Sequence, residues 1–303
     1  MAEEKKRVGI LRGGTGDYYE TSLKEGSHVI SHILDLSDKW KPVDILIDKE
    51  GVWHAGGVPI KPADLINKVD VVWNSTHPSF SNVLKNLSIP NAGVSSFSFA
   101  LNNSRAILEE HMKKIGVTIP KHIIIPLYQE DFDGPVEKYV LKKAKAVFEK
   151  FSSPWMIKSF TSDLDMGVHV AKTFVELTDA IMDGVKHKKS ILVEELIAGK
   201  DATMHSVAGF RGEDVYTFLP GNFSLIEKEK LANLTKDIYN HLGASNYLKA
   251  DFVLSSNGRI YLDNVEFSPN LKKDSHFCES CESVGAKSHH IVEHILERAL
   301  NGA

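Results

Sequence analysis

Short apolar runs alternate with stretches of helical periodicity from the first residues onward, and this alternation limits the fold more than any other feature. Val8–Leu11, Val43–Ile47 and Asp70–Asn74 are compact strand-like runs. Between the first two, Leu23, Val29, Ile30, Ile33 and Leu34 recur at helical spacing. Strands separated by helices build βαβ units and a parallel sheet. The first 95 residues or so are therefore expected to form an α/β unit.

The pattern then changes. Residues 96–118 read as helical, with Ser104 as a cap and Gly116 as the stop. A strand at Ile123–Ile125, a helix over Val136–Phe151 and a strand at Trp155–Lys158 follow. A polar loop, Ser159–Met166, leads to Gly167–Ala171. Leu177–Val185 reads as a helix and Ser190–Ile197 as a strand. Residues 201–219 suggest two antiparallel strands around Arg211-Gly-Glu213, and Lys228–Leu242 a helix. Lys249–Leu254 and Ile260–Phe267 form a hairpin around Ser255-Ser-Asn-Gly258. A helix over about 286–300 closes the chain. Three regions result, 1–101, 102–192 and 193–303, with antiparallel patterns in the last two.

Composition narrows the class. Hydrophobic residues are 42% and charged residues 25% of 303, ordinary globular values that exclude a disordered or fibrous chain. A formal charge of −4 argues against nucleic acid, which demands a basic surface. No apolar run approaches the roughly 18 residues of a membrane span, and the N-terminus does not read as a secretory signal. Two cysteines cannot build a disulfide framework. A cytoplasmic α/β protein that binds no membrane is the expectation.

Several constellations carry chemistry. Gly13-Gly-Thr-Gly16 follows the first strand, but its spacing is not that of a dinucleotide fingerprint, and no Walker P-loop occurs. A tight strand–helix turn and a substrate loop fit it equally. Lys158 ends a strand, as a solvated charge or as a phosphate ligand. Val193-Glu-Glu-Leu-Ile197 places two acids on neighbouring strand positions, which face opposite ways. One carboxylate must therefore face inward or line a cleft. An edge strand is the plain reading; a nucleotide hinge is the sharper one. The hairpin is the most informative. Asn264 and Glu266 share a strand face and Asp251 lies on the preceding strand, so three oxygen side chains converge as a hard cation requires. Cys278-Glu-Ser-Cys281 supplies two of the four ligands of a structural zinc and reads as two reduced cysteines. His289, His290 and His294 on the last helix do not make a metal motif.

These residues resemble the ATP-grasp superfamily and, within it, the D-alanine–D-alanine ligases. Gly13–Leu23 is similar to the family's glycine-rich N-terminal loop, Asn74-Ser-Thr-His77-Pro to its histidine-containing loop, and Ile89-Pro-Asn-Ala-Gly93 to its I-P-Y-T-G segment. Arg105 and Lys158 fall where the family has its two ATP-phosphate lysines. Val193–Gly199 resembles the hinge, with Asp201 at the ribose-binding acid. Lys249-Ala-Asp251 resembles R-x-D, Ser268-Pro-Asn270 resembles S-P-G, and Ser275 falls at the serine that binds the second substrate's carboxylate. The implied fold is an N-terminal parallel-sheet α/β domain followed by a two-part ATP-grasp domain with antiparallel sheets.

The departures are as definite. The family's E-x-N metal pair stands here as Asn264-x-Glu266. Tyr18 replaces the glutamate that holds the first substrate's amino group. Ser159–Met166 replaces a serine- and glycine-rich phosphate loop, and Asn270 replaces the glycine whose amide meets the oxyanion. Eighteen residues separate Asp201 from Pro220, too few for the family's long lid. The resemblance implies an ATP-dependent carboxylate–amine ligase that acts through an acyl phosphate on small amino acids, in peptidoglycan synthesis and cell-wall biogenesis. In it Arg105 and Lys158 hold phosphates, and Glu194, Asp201 and the Glu195-Leu196-Ile197 backbone hold the nucleoside of ATP. Asp251, Asn264 and Glu266 hold Mg2+, with Mn2+ as the alternative. Lys249, Asn270, Ser275 and Tyr18 serve the reacting groups. A homodimer is the family-level expectation. A ligase for another amino acid or small carboxylate, and a catalytically weak ATP-binding relative, stay open beside the D-alanine reading.

Overall fold

The computed structural model describes residues 4–16, 18–160 and 166–302. In chain order the elements are β1 (Lys6–Gly13), α1 (Tyr19–Leu34), β2 (Trp40–Ile47), β3 (Trp53–Ala55), β4 (Val58–Ile60), β5 (Val71–Asn74), α2 (Ser79–Asn86), β6 (Asn91–Gly93), α3 (Ser96–Asn102) and α4 (Arg105–Lys114). Then come β7 (His122–Ile125), α5 (Glu130–Asp133), α6 (Val136–Lys150), β8 (Trp155–Ser159), β9 (Val168–Ala171), α7 (Phe174–Lys186) and β10 (Ile191–Glu195). The chain ends with β11 (Gly199–Ala208), β12 (Val215–Phe218), α8 (Leu225–His241), β13 (Tyr247–Ser255), β14 (Ile260–Glu266), α9 (His276–Ser283) and α10 (Ser288–Leu300).

Two compact units are present. One joins Met1–His111, Thr203–Asp251 and Asn264–Ala303; the other joins Met112–Ala202 and Phe252–Asp263. The chain passes from one to the other inside α4, β11, β13 and β14. The three regions expected from the sequence divide the chain by position, whereas packing groups distant segments.

In the first unit a six-stranded sheet has the order β4-β3-β2-β1-β5-β6. Its β2-β1-β5-β6 part is parallel, as the βαβ pattern implied. The β3–β4 hairpin adds an antiparallel edge through β2. The sequence reading lacked this edge, because Pro59 demotes a strand pattern and is tolerated only at an edge. Each sheet face has its own core. One holds Val8, Ile10, Val71 and Trp73 against Val29 and Ile33 of α1 and Ile291, Val292 and Ile295 of α10. The other holds Leu11, Ile45, Ile47 and Val72 against Leu65 and Leu84. A parallel strand buried on both faces reads as a continuous apolar run, which is why these strands were visible in the sequence. Gly13 ends β1 at φ 89°, where a Cβ would lie 2.1 Å from the Ile47 carbonyl oxygen.

In the second unit the sheet order is β7-β10-β8-β9, all antiparallel. Helices α6 and α7 cover one face, with Val140, Ala144, Val147, Leu177 and Ile181 packed on Trp155, Ile157, Ile191 and Val193. The remaining sheet has the order β12-β11-β13-β14. The antiparallel strands expected over 201–219 are present as β11 and β12. Helix α8 begins three residues before the expected Lys228, and α9 is a helix the sequence reading did not contain. Among the described residues no helix is long and apolar enough to cross a membrane.

Candidate functional site

In the second unit the site residues follow from strand alternation. Ile191 and Val193 point to the helices, so Glu194 points to the opposite face. The register pairs Leu192 with Lys158 and Glu194 with Met156, making Lys158 and Glu194 diagonal neighbours on that face. Lys158 Nζ lies 2.8 Å from Glu194 Oε2 and 3.5 Å from Asp263 Oδ2. Glu194 is fully buried. A buried carboxylate is costly unless paired, and this lysine supplies a pairing charge. Lys158 is thus neither the isolated solvated lysine of the plain reading nor distant from the paired acids. Asp263 opens the run that carries Asn264 and Glu266, but the sequence spacing assigns it no role; the alternation that turns those two to one face turns Asp263 to the other.

The hinge backbone is partly engaged. Glu195 N–H donates to the Lys121 carbonyl (2.8 Å) and Leu196 N–H to the Pro154 carbonyl (3.1 Å). Ile197 follows beyond the strand end. Asp201, on β11, is exposed. Of the polar loop Ser159–Met166, residues 161–165 lie outside the described residues, as does Asp17 of the glycine-rich turn.

In the first unit one face of the β11–β13–β14 sheet carries a polar row. Leu248 and Ala250 are buried beneath, and Tyr247, Lys249 and Asp251 alternate to the upper face. Lys249 Nζ stands 2.9 Å from Asp251 Oδ2 and 3.1 Å from Glu266 Oε1. Asn264 Nδ2 donates to Glu266 Oε1 at 3.3 Å, and Thr203 Oγ1 donates to Asp251 Oδ1 at 2.7 Å. Burial opposes the Lys249 charge, but Glu266 and Asp251 outweigh it and the ammonium is held more tightly than usual. Asp251 and Glu266 thus meet through the Lys249 ammonium, and Asn264 reaches Glu266. Two carboxylates and an amide oxygen make the donor set of a hard cation. Among the described residues no group of three His, Cys, Asp or Glu side chains is arranged to hold a metal; the third donor here is an amide.

Tyr18 precedes α1, and its hydroxyl donates to Glu25 Oε1 at 2.6 Å. Burial, opposed by that hydrogen bond and reinforced by the charge of Glu266, raises the Glu25 carboxyl above its ordinary range. Burial and the Glu25 and Glu266 charges likewise hold the Tyr18 phenol protonated. Glu25 carried no sequence signal beyond its place on the helix. Arg105 opens α4 and is buried.

Ser275 is the N-cap of α9. Its hydroxyl accepts from the Cys278 N–H (3.3 Å) and donates to the carbonyl of Asn270 (2.7 Å). Asn270 is exposed, and its side-chain oxygen accepts from the Lys272 N–H. Cys278 and Cys281 are free and buried, with the Cys281 thiol pushed up to about 12 by burial and by Cys278. His294 Nε2 donates to the Ala208 carbonyl at 2.7 Å, a structural role. His77 bonds Ser79 through Nδ1 at 2.8 Å and meets the Phe99 ring edge-on.

A family model described as the D-ala D-ala ligase C-terminus matches residues 208–297. The chain is 21% identical over 318 residues to the D-alanine–D-alanine ligase of Desulforudis audaxviator (strain MP104C), covering 97% of this chain and 98% of that protein. It is 22% identical over 356 residues to the vancomycin/teicoplanin A-type resistance protein VanA of Enterococcus faecium, covering 98% and 99%. Among solved structures, D-alanyl-alanine synthetase A from Vibrio cholerae O1 biovar eltor superposes with a TM-score of 0.73 at 16% identity over the whole of both chains. The VanG D-Ala:D-Ser ligase from Enterococcus faecalis gives 0.73 at 16% identity, covering 98% of this chain and 100% of that one.

Proposed function

We infer that this chain, a divergent member of the D-alanine–D-alanine ligase family within the ATP-grasp superfamily, is an ATP-dependent ligase joining the carboxylate of one small amino acid to the amine of another. The observation that carries the reading is the Lys249 cluster. A fixed ammonium, two carboxylates and an amide stand on one sheet face, an arrangement that can stabilise negative charge as it develops.

Lys158, with Glu194 beside it, is suited to a phosphate. Glu194, Asp201 and the Glu195–Ile197 backbone are suited to the nucleoside. Arg105, in the other unit, is in itself a cation suited to a phosphate. Asp251, Asn264 and Glu266 would hold Mg2+, or Mn2+ in its place, which when bound neutralises phosphate charge. Lys249 then faces the oxyanion formed when the amine attacks an acyl phosphate, beside the backbone at Asn270. Ser275 contributes by fixing the Asn270 carbonyl rather than through a spare hydroxyl hydrogen. Tyr18 masks Glu25, so the substrate amine meets a phenol–carboxyl pair instead of a lone carboxylate. An enzyme that uses ATP and free amino acids would act in the cytoplasm.

Millimolar Mg·ATP is expected to raise the melting temperature, and phosphate release should appear with D-alanine or with another member of an amino-acid panel. Release with D-alanine alone supports the D-alanine ligase; release with other substrates supports a different amino acid. Stabilisation by Mg·ATP with no release on any substrate identifies a catalytically weak relative. No stabilisation and no release would sink the reading.

A further inference from the structure

A chain of three side chains runs along the same sheet face as Lys249 and is used by none of the roles above. His205 on β11 is buried, with 2% of its surface exposed. Its Nδ1 is 2.7 Å from the Tyr247 hydroxyl, and its Nε2 is 2.9 Å from His276 Nδ1. Tyr247 is two residues before Lys249 on β13, and His276 directly follows Ser275. The His276 ring is exposed, and its Nδ1 also lies 3.4 Å from Ser280 Oγ.

Hydrogen-bond satisfaction orders the protons along this chain. Tyr247 is buried and keeps its phenolic proton, because burial and the charges of Glu266 and Asp251 hold its pKa far above the ordinary value. Among the described residues the acceptor within reach of that O–H is His205 Nδ1. A buried O–H without an acceptor is unfavourable, so Tyr247 donates to Nδ1. The proton of neutral His205 then sits on Nε2 and is donated to His276 Nδ1. Neutral His276 must in turn carry its own proton on Nε2, pointing away from the chain. Burial, with His276 and Lys249 adding to it, pushes His205 down to about 3, so it stays neutral and the order does not reverse by protonating the middle member. The groups within reach of His276 are His205 from the sheet and Ser280 from its own helix.

Ser275 makes this donor consequential. Its hydroxyl hydrogen is committed to the Asn270 carbonyl, so it cannot also be given to a ligand oxygen. We propose that His276 Nε2–H, held in that tautomer by His205 and Tyr247, is the hydrogen-bond donor for a carboxylate oxygen of the amine-bearing substrate. The proposal rests on the ligase reading for the identity of the substrate. The tautomer itself follows from the three residues alone.

Two measurements test the halves separately. Long-range 1H–15N correlation spectra of the free protein near neutral pH should show neutral His276 protonated on Nε2, and Tyr247→Phe should leave a mixture of tautomers. A His276 protonated on Nδ1 in the wild type overturns the proposal. With a non-hydrolysable ATP analogue present, the His276 signals should move on adding D-alanine and not on adding ethylamine, which lacks the carboxylate. His276→Ala should raise the D-alanine dissociation constant about tenfold, and His276→Gln, which restores an N–H, should recover most of it. An unmoved His276 signal, or equal weakening of D-alanine and ethylamine, also overturns it. Both readouts are independent of turnover: failure of phosphate release together with a correct tautomer and a carboxylate-dependent shift would refute the ligation reaction and leave His276 as the carboxylate donor.

Discussion

At the scale of single residues, the candidate site depends on charges that need one another. Lys249 lies between Asp251 and Glu266, so removing its ammonium does two things: it takes away a stabiliser of developing negative charge and leaves two carboxylates facing each other. Lys249→Met is expected to lower single-turnover phosphate release about 10²–10³-fold, the loss typical of deleting an oxyanion donor, with Mg·ATP still raising the melting temperature. Release within tenfold of wild type would show that Lys249 does not face the reacting oxygen. The three oxygen side chains of the hairpin were legible in the sequence because strand alternation is rigid: residues two apart must share a face. The partners of Lys158 were less legible. Glu194 was recognised as one of two acids that could face inward, but its meeting with Lys158 depends on antiparallel register between strands more than thirty residues apart. His205, Tyr247 and His276 are spread over seventy-one residues, and nothing local distinguishes them from other aromatic and imidazole side chains. Ser275 was legible as a position and not as a partner, since the Asn270 carbonyl that takes its hydrogen is set by the turn between them.

At the scale of elements, periodicity revealed those whose burial is regular. The parallel strands of the first sheet and helices α1 and α6 show it plainly. Helix α8 shows the limit: Leu225 and Ile226 in its first turn are 84% and 68% exposed, so the amphipathic pattern starts only beyond them, near Lys228. Its true start is marked by the Ser224/Glu227 capping box, in which Ser224 Oγ accepts from Glu227 N–H and Glu227 Oε2 accepts from Ser224 N–H. Helix α7 has the same device at Thr173 and Glu176. Each cap satisfies amide donors that the helix cannot satisfy itself. Ser224→Ala and Thr173→Ala should each cost about 1 kcal/mol of stability, read as a lower denaturation midpoint with an unchanged slope. Losses below about 0.3 kcal/mol in both variants would show that these helix ends are held by packing rather than by their caps. The short polar helix α9 escaped the pattern because eight residues give too few turns for periodicity to register. Its Ser275 cap is what fixes it, and through the cap the segment that carries Asn270.

At the scale of the whole molecule, composition was the least specific guide. A charge of −4 and ordinary hydrophobic content excluded classes without choosing a reaction. The fold as an assembly is set by long-range pairings, which gather three separated segments into one unit and two into the other. Global stability therefore depends on buried groups whose environment is built from distant parts of the chain, and His205 is the clearest of them. Burial first, then His276 and Lys249, lower its pKa from 6.5 to about 3. The unfolded chain binds a proton near pH 6.5 while the folded chain refuses it until about pH 3. The contribution of neutral His205 is therefore complete above pH 6.5 and is lost progressively as the pH falls towards 3. Between neutrality and about pH 4.5 the expected loss is roughly 3 kcal/mol. Asp70, held below the carboxylate range chiefly by its hydrogen bond to Arg7, contributes in the same direction only below its unfolded value of 3.8. It therefore adds little above that pH. Denaturation between pH 7.5 and about pH 4.5 separates His205 from the rest: His205→Gln cannot take up the proton, so its stability should fall less steeply with pH than that of the wild type. Parallel slopes for the two proteins would show that acid sensitivity arises elsewhere and that the His205 site opens to solvent before it charges.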